Sequence, residues 1–242
     1  MAQFKLQKKD EKLIGSLVDH FSAHIDDFEL LLKGLRGHIL VDRDLAPCIH
    51  SVKWRVKSPD GLRDKLVRKM QEAEGSGKPF GITTANLFKK INDLAGFRIL
   101  HLHTQQMERI NKALLARLSE ALYVLREGPI AKTWDDESRD YFSGIGIKTE
   151  RSKDLYTSVH YVVKANIRTQ FTCEIQVRTL AEELWGEVDH SFNYPHPVDS
   201  IPCREQIKVL ARVTSSCTRL VDSIFRSFED SMSGPPRVRR RS

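Results

Sequence analysis

Three short segments of this 242-residue chain hold side chains whose types and spacing could do chemistry. Arg55-Val56-Lys57 leads into Lys65, Arg68 and Lys69, and steps of three and four bring those last three near one face of a helix. Such a cluster suits a polyphosphate, because Arg grips phosphate oxygens in a bidentate fork and Lys supplies point charges. A solvated basic helix face would read the same way. The second segment runs from Asn92 to Arg98, with an acid, Asp93, entering a buried strand. The third is Cys173 to Thr179, where alternation puts Glu174, Gln176 and Arg178 on one face, opposite Ile175 and Val177. Three polar side chains on one strand face need partners, and a ligand is a natural one. Asp93 and Glu174 together could hold magnesium and prepare a hydroxyl for attack on a phosphoryl group, or form structural salt bridges.

These segments need elements to hold them. Apolar residues from Leu13 to Leu35 recur at helical steps and predict one long amphipathic helix ending near Gly34 or Gly37. Another runs from about Glu205 to Phe228, with a seam of Ile207, Leu210, Thr214, Cys217, Val221, Ile224 and Phe228, widened by Val213, Leu220 and Phe225. A seam this wide packs on its own domain more readily than in a coiled coil; a role in oligomerisation is the alternative. Between these helices HSVKWRV, GFRILHL, ALYVLRE, TSVHYVVKA and TQFTCEIQV read as strands, with helical stretches near 59–74, 84–92, 105–121 and 179–191. A turn at Asn166-Ile167-Arg168-Thr169 would pair the last two strands antiparallel. The pattern predicts an α+β fold, a mixed sheet with helices against it and long helices at both ends. The segments are 1–49 (helical), 50–198 (core), 199–231 (a helix) and 232–242, a basic tail read as disordered.

Composition narrows the function classes. With 40% apolar and 29% charged residues the chain can bury a core. No apolar stretch approaches the ~20 residues of a membrane span, and the start, MAQFKLQKKDEKL, has no apolar segment of a secretory signal. The four cysteines, Cys48, Cys173, Cys203 and Cys217, lack metal-site spacing, so a zinc site or disulfide scaffold is not expected and a reduced, cytoplasmic setting is. Of the net charge of +7, four units belong to Arg237, Arg239, Arg240 and Arg241. The rest is too modest to argue for a duplex-binding surface. GSGKP at 75–79 fails as a P-loop, because position 72 is Glu and position 79 is Pro. No GxGxxG after a strand, no GxSxG, no HExxH and no His-Asp pair occurs.

Arg55-Val56-Lys57 with Lys65 and Arg68, DLAGFRI at 93–99, YTSVH at 156–160, EIQVRT at 174–179 and LWGEVDHSFNY at 184–194 fall in order. Together they resemble the synthetase domain of the RelA/SpoT family, over roughly residues 50–195, and most nearly the small alarmone synthetases. RDYF at 139–142 resembles the segment before the acceptor loop of those enzymes.

The resemblance implies a nucleotidyltransferase-like fold and a pyrophosphokinase with magnesium as cofactor. The reaction would move the β,γ-pyrophosphate of ATP to the 3′-hydroxyl of GDP or GTP, making (p)ppGpp and AMP. Arg55 and Arg98 would flank adenine, and Lys57, Lys65 and Arg68 would hold the ATP phosphates. Asp93 and Glu174 would be the catalytic pair and the magnesium ligands. Tyr156 would stack on the acceptor base, with Gln176, His160, Lys153 and Arg139 on its sugar or phosphates and Glu183 near its edge. Arg178, Trp185, His190 and Asn193 would brace the site. Where the family loop usually reads Gly-Tyr-Arg/Gln-Ser, this chain reads Leu155-Tyr156-Thr157-Ser158. Acceptor alternatives are an adenosine nucleotide or the tRNA 3′ CCA end, and a silent nucleotide-binding regulator is a further one. A homo-oligomer acting away from membranes is expected.

Overall fold

The alternating segments become strands of one mixed sheet in the computed structural model, which describes residues 6–152, 154–193 and 198–233. The strands are β1 (Ser51–Val56), β2 (Ala95–His101), β3 (Val124–Thr133), β4 (Lys148–Arg151), β5 (Ser158–Lys164) and β6 (Cys173–Thr179), in the order β1-β2-β6-β5-β3-β4. β2 runs parallel to β6 and β3 to β4, whereas β1–β2, β5–β6 and β3–β5 are antiparallel. The helices are α1 (Lys8–Ser22), α2 (Ile25–Leu40), α3 (Pro59–Gly75), α4 (Leu87–Lys90), α5 (Gln106–Glu120), α6 (Asp136–Gly144), α7 (Leu180–Asn193) and α8 (Ile201–Ser233). Among the described residues no helix is long and apolar enough to cross a membrane.

One set of alternating strand positions is apolar. Phe97, Ile99, Val159, Tyr161, Val163, Ile175 and Val177 are at most 1% exposed. They share one core cluster with Ile14, Leu17 and Phe21 of α1, Phe28, Leu31 and Leu35 of α2, and Ile110 and Leu114 of α5. Each such side chain contributes about 1.5–3 kcal/mol on burial, so a one-residue slip of β2 or β6 would forfeit several at once. The N-terminal segment therefore completes the core of the sheet. The alternate positions are left for polar residues.

Three expectations change. The long N-terminal helix is two, because the chain turns at Ala23-His24, where the His24 N–H bonds the Phe21 carbonyl at 2.9 Å and His24 Nδ1 meets the His20 carbonyl at 2.8 Å. The turn keeps Phe21 and Phe28 on the same side, 5.6 Å apart, so the apolar period runs through it unbroken. Neither Gly34 nor Gly37 stops α2; a Cβ on Gly34 would meet the Tyr123 hydroxyl at 2.7 Å, and the glycine admits that contact. The expected loop after the third strand contains α6, capped by the Asp135 carboxylate on the Ser138 N–H at 3.3 Å, and the short edge strand β4. Finally, α8 reaches Ser233, into the segment read as tail; residues 234–242 lie outside the described residues.

Candidate active site

Strand register builds the polar face. Lys53 of β1 pairs with Arg98 of β2, Arg98 with Gln176 of β6, and Gln176 with His160 of β5. One step along lie Arg55, Gly96 and Glu174. Side chains in register across neighbouring strands share a face, so residues far apart in sequence form one row. Asp93 precedes β2, and the Lys57 N–H, bonded to the Leu94 carbonyl at 2.8 Å, holds the end of β1 beside it. α3 follows at once: Ser58 accepts from the Gly61 N–H at 3.1 Å and Pro59 suits the first turn. Its buried stripe is Leu62, Leu66 and Met70, which turns Lys65, Arg68 and Lys69 toward the cleft.

Two cavities open on this face. One, of about 930 Å³, is lined by Lys65, Arg68, Lys69, Lys90, Lys132, Tyr156 and His160, among others. The other, of about 580 Å³, is lined by Lys53, Trp54, Arg55, Phe97 and Glu187. Asp93, Arg98, Glu174, Gln176 and His190 line both, so the two carboxylates stand where the cavities meet.

Both carboxylates are ionised. Burial opposes the charge on Asp93, but Lys65 at 2.6 Å and Lys57 at 3.4 Å outweigh it and hold the carboxyl below its usual range. Burial likewise opposes Glu174; His160 Nδ1 at 2.9 Å and the Gln176 amide at 2.9 Å outweigh it, against repulsion from Asp93. His160 Nε2 has no partner among the described residues. Burial, with Arg55 and Lys65 nearby, lowers the Lys57 ammonium despite the Asp93 contact. Among the described residues no group of three or more His, Cys, Asp or Glu side chains could hold a metal ion by itself. Two ionised carboxylates that repel each other are still a fitting donor set for magnesium, which takes one or two carboxylates and fills its shell with water and phosphate oxygens.

The loop before β5 carries Tyr156. Leu155 stands at φ 27°, in the left-handed region, where the family's usual glycine would be at ease. Its side chain packs with Tyr156, Val188 and Leu210 against Trp185, Ile207 and Ala211. The Arg178 guanidinium lies 5.6 Å from the Tyr156 ring centroid. Gly186 lets α7 approach that guanidinium, since a Cβ there would meet Arg178 Nη1 at 2.6 Å. Trp185 Nε1 donates to the Ile207 carbonyl at 3.1 Å and ties α7 to α8. Asn193 is bonded to Asp189 at 2.8 Å and, with His190, lines the larger cavity.

Of the residues singled out in the sequence, Arg55, Lys65, Arg68, Asp93, Arg98, Tyr156, His160, Glu174 and Gln176 line these cavities, and Lys57 reaches Asp93. Lys153 lies outside the described residues. Glu183 does not line the cavities. Its side chain is 7% exposed and is held by Lys53 at 2.8 Å, Arg98 at 3.2 Å and Arg178. Burial opposes that charge, but the cations outweigh it and bring the carboxyl down to about 2. Its hydrogen-bonding capacity is therefore spent inside the protein. Arg139 also stays out of the cavities, because it pairs with Asp136 within α6. Sequence reasoning missed Lys132, Lys90 and Lys53. Lys132 sits on β3 in register with Ser158, two residues from His160, a pairing that only the bulged course of β3 past Gly128-Pro129 creates.

The family model "Region found in RelA / SpoT proteins" matches residues 54–199. The chain is 26% identical over 217 residues to the GTP pyrophosphokinase YjbM of Bacillus subtilis (strain 168), across 87% of this chain and 86% of that one. To the GTP pyrophosphokinase YwaC of the same strain it is 26% identical over 151 residues, 60% of this chain and 59% of that one. The fold is shared with a GTP pyrophosphokinase family protein from Streptococcus pneumoniae, at TM-score 0.58 and 19% identity over 95% of this chain and all of that one. It is shared too with small alarmone synthetase 1 from Bacillus subtilis bound to its product pppGpp, at TM-score 0.54 and 20% identity over 92% of this chain and all of that one. A match over more than half the chain, with the matched segments forming one polar sheet face, establishes that the chain belongs to the RelA/SpoT family.

Proposed function

We propose that the chain is a pyrophosphokinase that transfers the β,γ-pyrophosphate of ATP to the 3′-hydroxyl of GDP or GTP, working in the cytoplasm as a homo-oligomer. The observation that carries this is the meeting of two nucleotide-sized cavities at Asp93 and Glu174. A transfer between two nucleotides needs two such spaces with the reacting atoms at their junction. Arg55 and Arg98 offer guanidinium planes to adenine, and Lys57, Lys65 and Arg68 offer charge to its phosphates. Tyr156 is a stacking surface for the acceptor base, and Lys132, Lys90 and His160 surround the room left for acceptor sugar and phosphates.

The acceptor oxygen attacks the β-phosphorus, the bond from that phosphorus to the α-phosphate bridging oxygen breaks, and AMP leaves. Glu174, kept ionised, takes the hydroxyl proton, while His160 fixes the carboxylate from the other side. Magnesium bound by Asp93 and Glu174 would neutralise charge on the transferred group. The rest is positioning.

The acceptor base is the less constrained half, since Glu183 does not reach it. Purified protein with magnesium and ATP labelled at the β-phosphate, incubated in parallel with GDP, GTP, ADP, ATP or total tRNA, tests the reading. Label in a guanosine nucleotide with matching AMP release is expected. Label confined to an adenosine nucleotide or tRNA would keep the mechanism and overturn the acceptor; no transfer would leave a nucleotide-binding regulator.

A further inference from the structure

α7 turns one stripe, Trp185, Gly186, Asp189, His190 and Asn193, toward the larger cavity. The polar groups on it are not equally available. Trp185 Nε1 is taken by the Ile207 carbonyl, and Gly186 has no side chain to offer. His190 also lines the smaller cavity, which puts it at the junction. Asp189 and Asn193 line the larger cavity alone. Asn193 Nδ2 donates to Asp189 Oδ1 at 2.8 Å, and among the described residues no donor is bonded to Asp189 Oδ2.

That pair stands where an acceptor base would end. The Arg178 guanidinium lies over one face of the Tyr156 ring, so a base stacks on the other. Trp185 flanks the tyrosine with ring centroids 6.4 Å apart. Asp189 follows one helical turn later, about 6 Å further along α7. The cations of the cavity, Lys65, Arg68, Lys69, Lys90 and Lys132, come from α3, α4 and β3, whereas α7 carries no Lys or Arg. Phosphates belong with the first group, and the edge of a base belongs with the second.

A carboxylate at that edge discriminates between purines. Guanine presents N1–H beside its 2-amino group, two donors in a row for one carboxylate. Adenine presents a bare N1 beside its 6-amino group, so a carboxylate that accepts from the amino group faces a lone pair next to it. We infer that Asp189 selects the acceptor base, accepting from N1–H and the 2-amino group of guanine while Asn193 holds its carboxylate in place. The inference rests on the pyrophosphokinase reading above and adds the residue that sets guanine over adenine.

Acceptor analogues test it. With magnesium and ATP saturating, kcat/KM is measured for GDP, inosine diphosphate, xanthosine diphosphate and ADP. Wild type should prefer GDP to inosine diphosphate, which lacks the 2-amino group, by about tenfold or more, and to ADP by a larger factor. Asp189→Asn should lower kcat/KM for GDP roughly a hundredfold and make xanthosine diphosphate the better acceptor, because the amide accepts from N1–H and donates to the 2-carbonyl. A gain with a second acceptor cannot come from a damaged fold. Asn193→Ala should raise the KM for GDP severalfold and leave the order of acceptors unchanged. Asp154, an exposed carboxylate in the loop before β5, also lines the cavity, and Asp154→Asn should not exchange the preference. Equal use of GDP and inosine diphosphate by wild type would overturn the inference. So would a wild-type acceptor order in Asp189→Asn, or an exchanged preference in Asp154→Asn. Each of these leaves the pyrophosphokinase reading standing, because GDP still receives the label. Wild-type transfer confined to adenosine nucleotides or tRNA would overturn the guanosine acceptor and the role of Asp189 together.

Discussion

The side of the cleft facing α3 and the side facing the loop before β5 hold their charges differently. On the α3 side, Lys57 and Lys65 reach Asp93 across short connections, and all three side chains are 13–28% exposed. A polyphosphate can enter there by exchanging one partner for another. On the loop side, Tyr156 rests on Arg178, which is 3% exposed and held by Glu183, itself shared with Lys53 and Arg98. No part of that chain can be exchanged without leaving a buried charge behind. The difference teaches that one side stores charge for the ligand, whereas the other spends it on shape. Variants on the two sides should fail differently.

The largest effect falls where the sides meet. Asp93→Asn and Glu174→Gln should each cut transfer by about a thousandfold or more, because charge neutralisation and proton removal both pass through that pair. Melting temperatures should fall by a few degrees while the fold is retained, since each change removes a charge that its neighbours, Lys65 and Lys57 or His160 and Gln176, hold in the folded state. AMP release that survives in either folded variant would sink the assignment.

Glu183→Gln comes next and separates the sides. The Glu183 carboxyl lies down at about 2, so its stabilisation is present above its ordinary 4.5 and is lost only as pH falls through about 2. Removing the charge at pH 7 should destabilise the fold by about 3 kcal/mol, short of a fully buried pair because Lys53 is 54% exposed. The KM for the acceptor should rise more than the KM for ATP. A larger rise for ATP would mean that Arg98, not Arg178, is what Glu183 positions, and the contrast between the sides would fail.

The two sides were also unequally legible in the sequence. The α3 side is made of residues within a few positions of a strand end or helix start, so Arg55, Lys57, Lys65, Arg68 and Asp93 could be picked out from local spacing. The alternation in β6 likewise placed Glu174, Gln176 and Arg178 on one face before any pairing was known. The antiparallel β5–β6 pair followed from its turn. Lys132 was hidden because its place depends on how β3 bulges past Gly128-Pro129 to meet Ser158. The ion pairs of Glu183 were not legible because its partners come from β1, β2 and β6, and no local pattern joins those strands. The break at Ala23-His24 left no trace in the apolar period, since Phe21 and Phe28 serve the same core on either side of it.

Glu182 sharpens the comparison, for it adjoins Glu183 on α7 yet has the opposite electrostatics. Burial pushes its carboxyl up to about 7, and Asp135 adds to that against Arg178 and the Thr157 N–H. A raised value means that the folded state holds the proton more tightly than the unfolded one. Its cost is absent below the ordinary 4.5, grows as pH rises to about 7 and is constant above. Glu182→Gln should therefore stabilise the protein by about 2 kcal/mol at pH 8 and by little at pH 5. Denaturant midpoints at the two pH values check it; equal gains at both would mean that Glu182 does not titrate in this range.

Leu155 gives the smallest effect and the most pointed one. Its φ of 27° strains any residue with a Cβ, by roughly 1–2 kcal/mol. The leucine side chain offsets the strain by packing on the Trp185 and Ile207 cluster, so the loop exchanges glycine's freedom for a contact that ties Tyr156 to α7 and α8. Leu155→Ala loses the packing and keeps the strain, whereas Leu155→Gly loses both. Glycine normally lies below alanine in stability because it gives the unfolded chain more freedom, by about 0.4–1 kcal/mol. Here relief of strain should exceed that penalty, leaving Leu155→Gly more stable than Leu155→Ala by up to about 1 kcal/mol. The acceptor KM should be lowest in wild type and highest in Leu155→Gly, so that the more stable of the two variants has the higher KM, if a rigid approach to Tyr156 is what the packing provides. Equal acceptor KM values in the two variants would leave the tyrosine positioned by Arg178 alone, and the loop side would then differ from the α3 side in charge but not in stiffness.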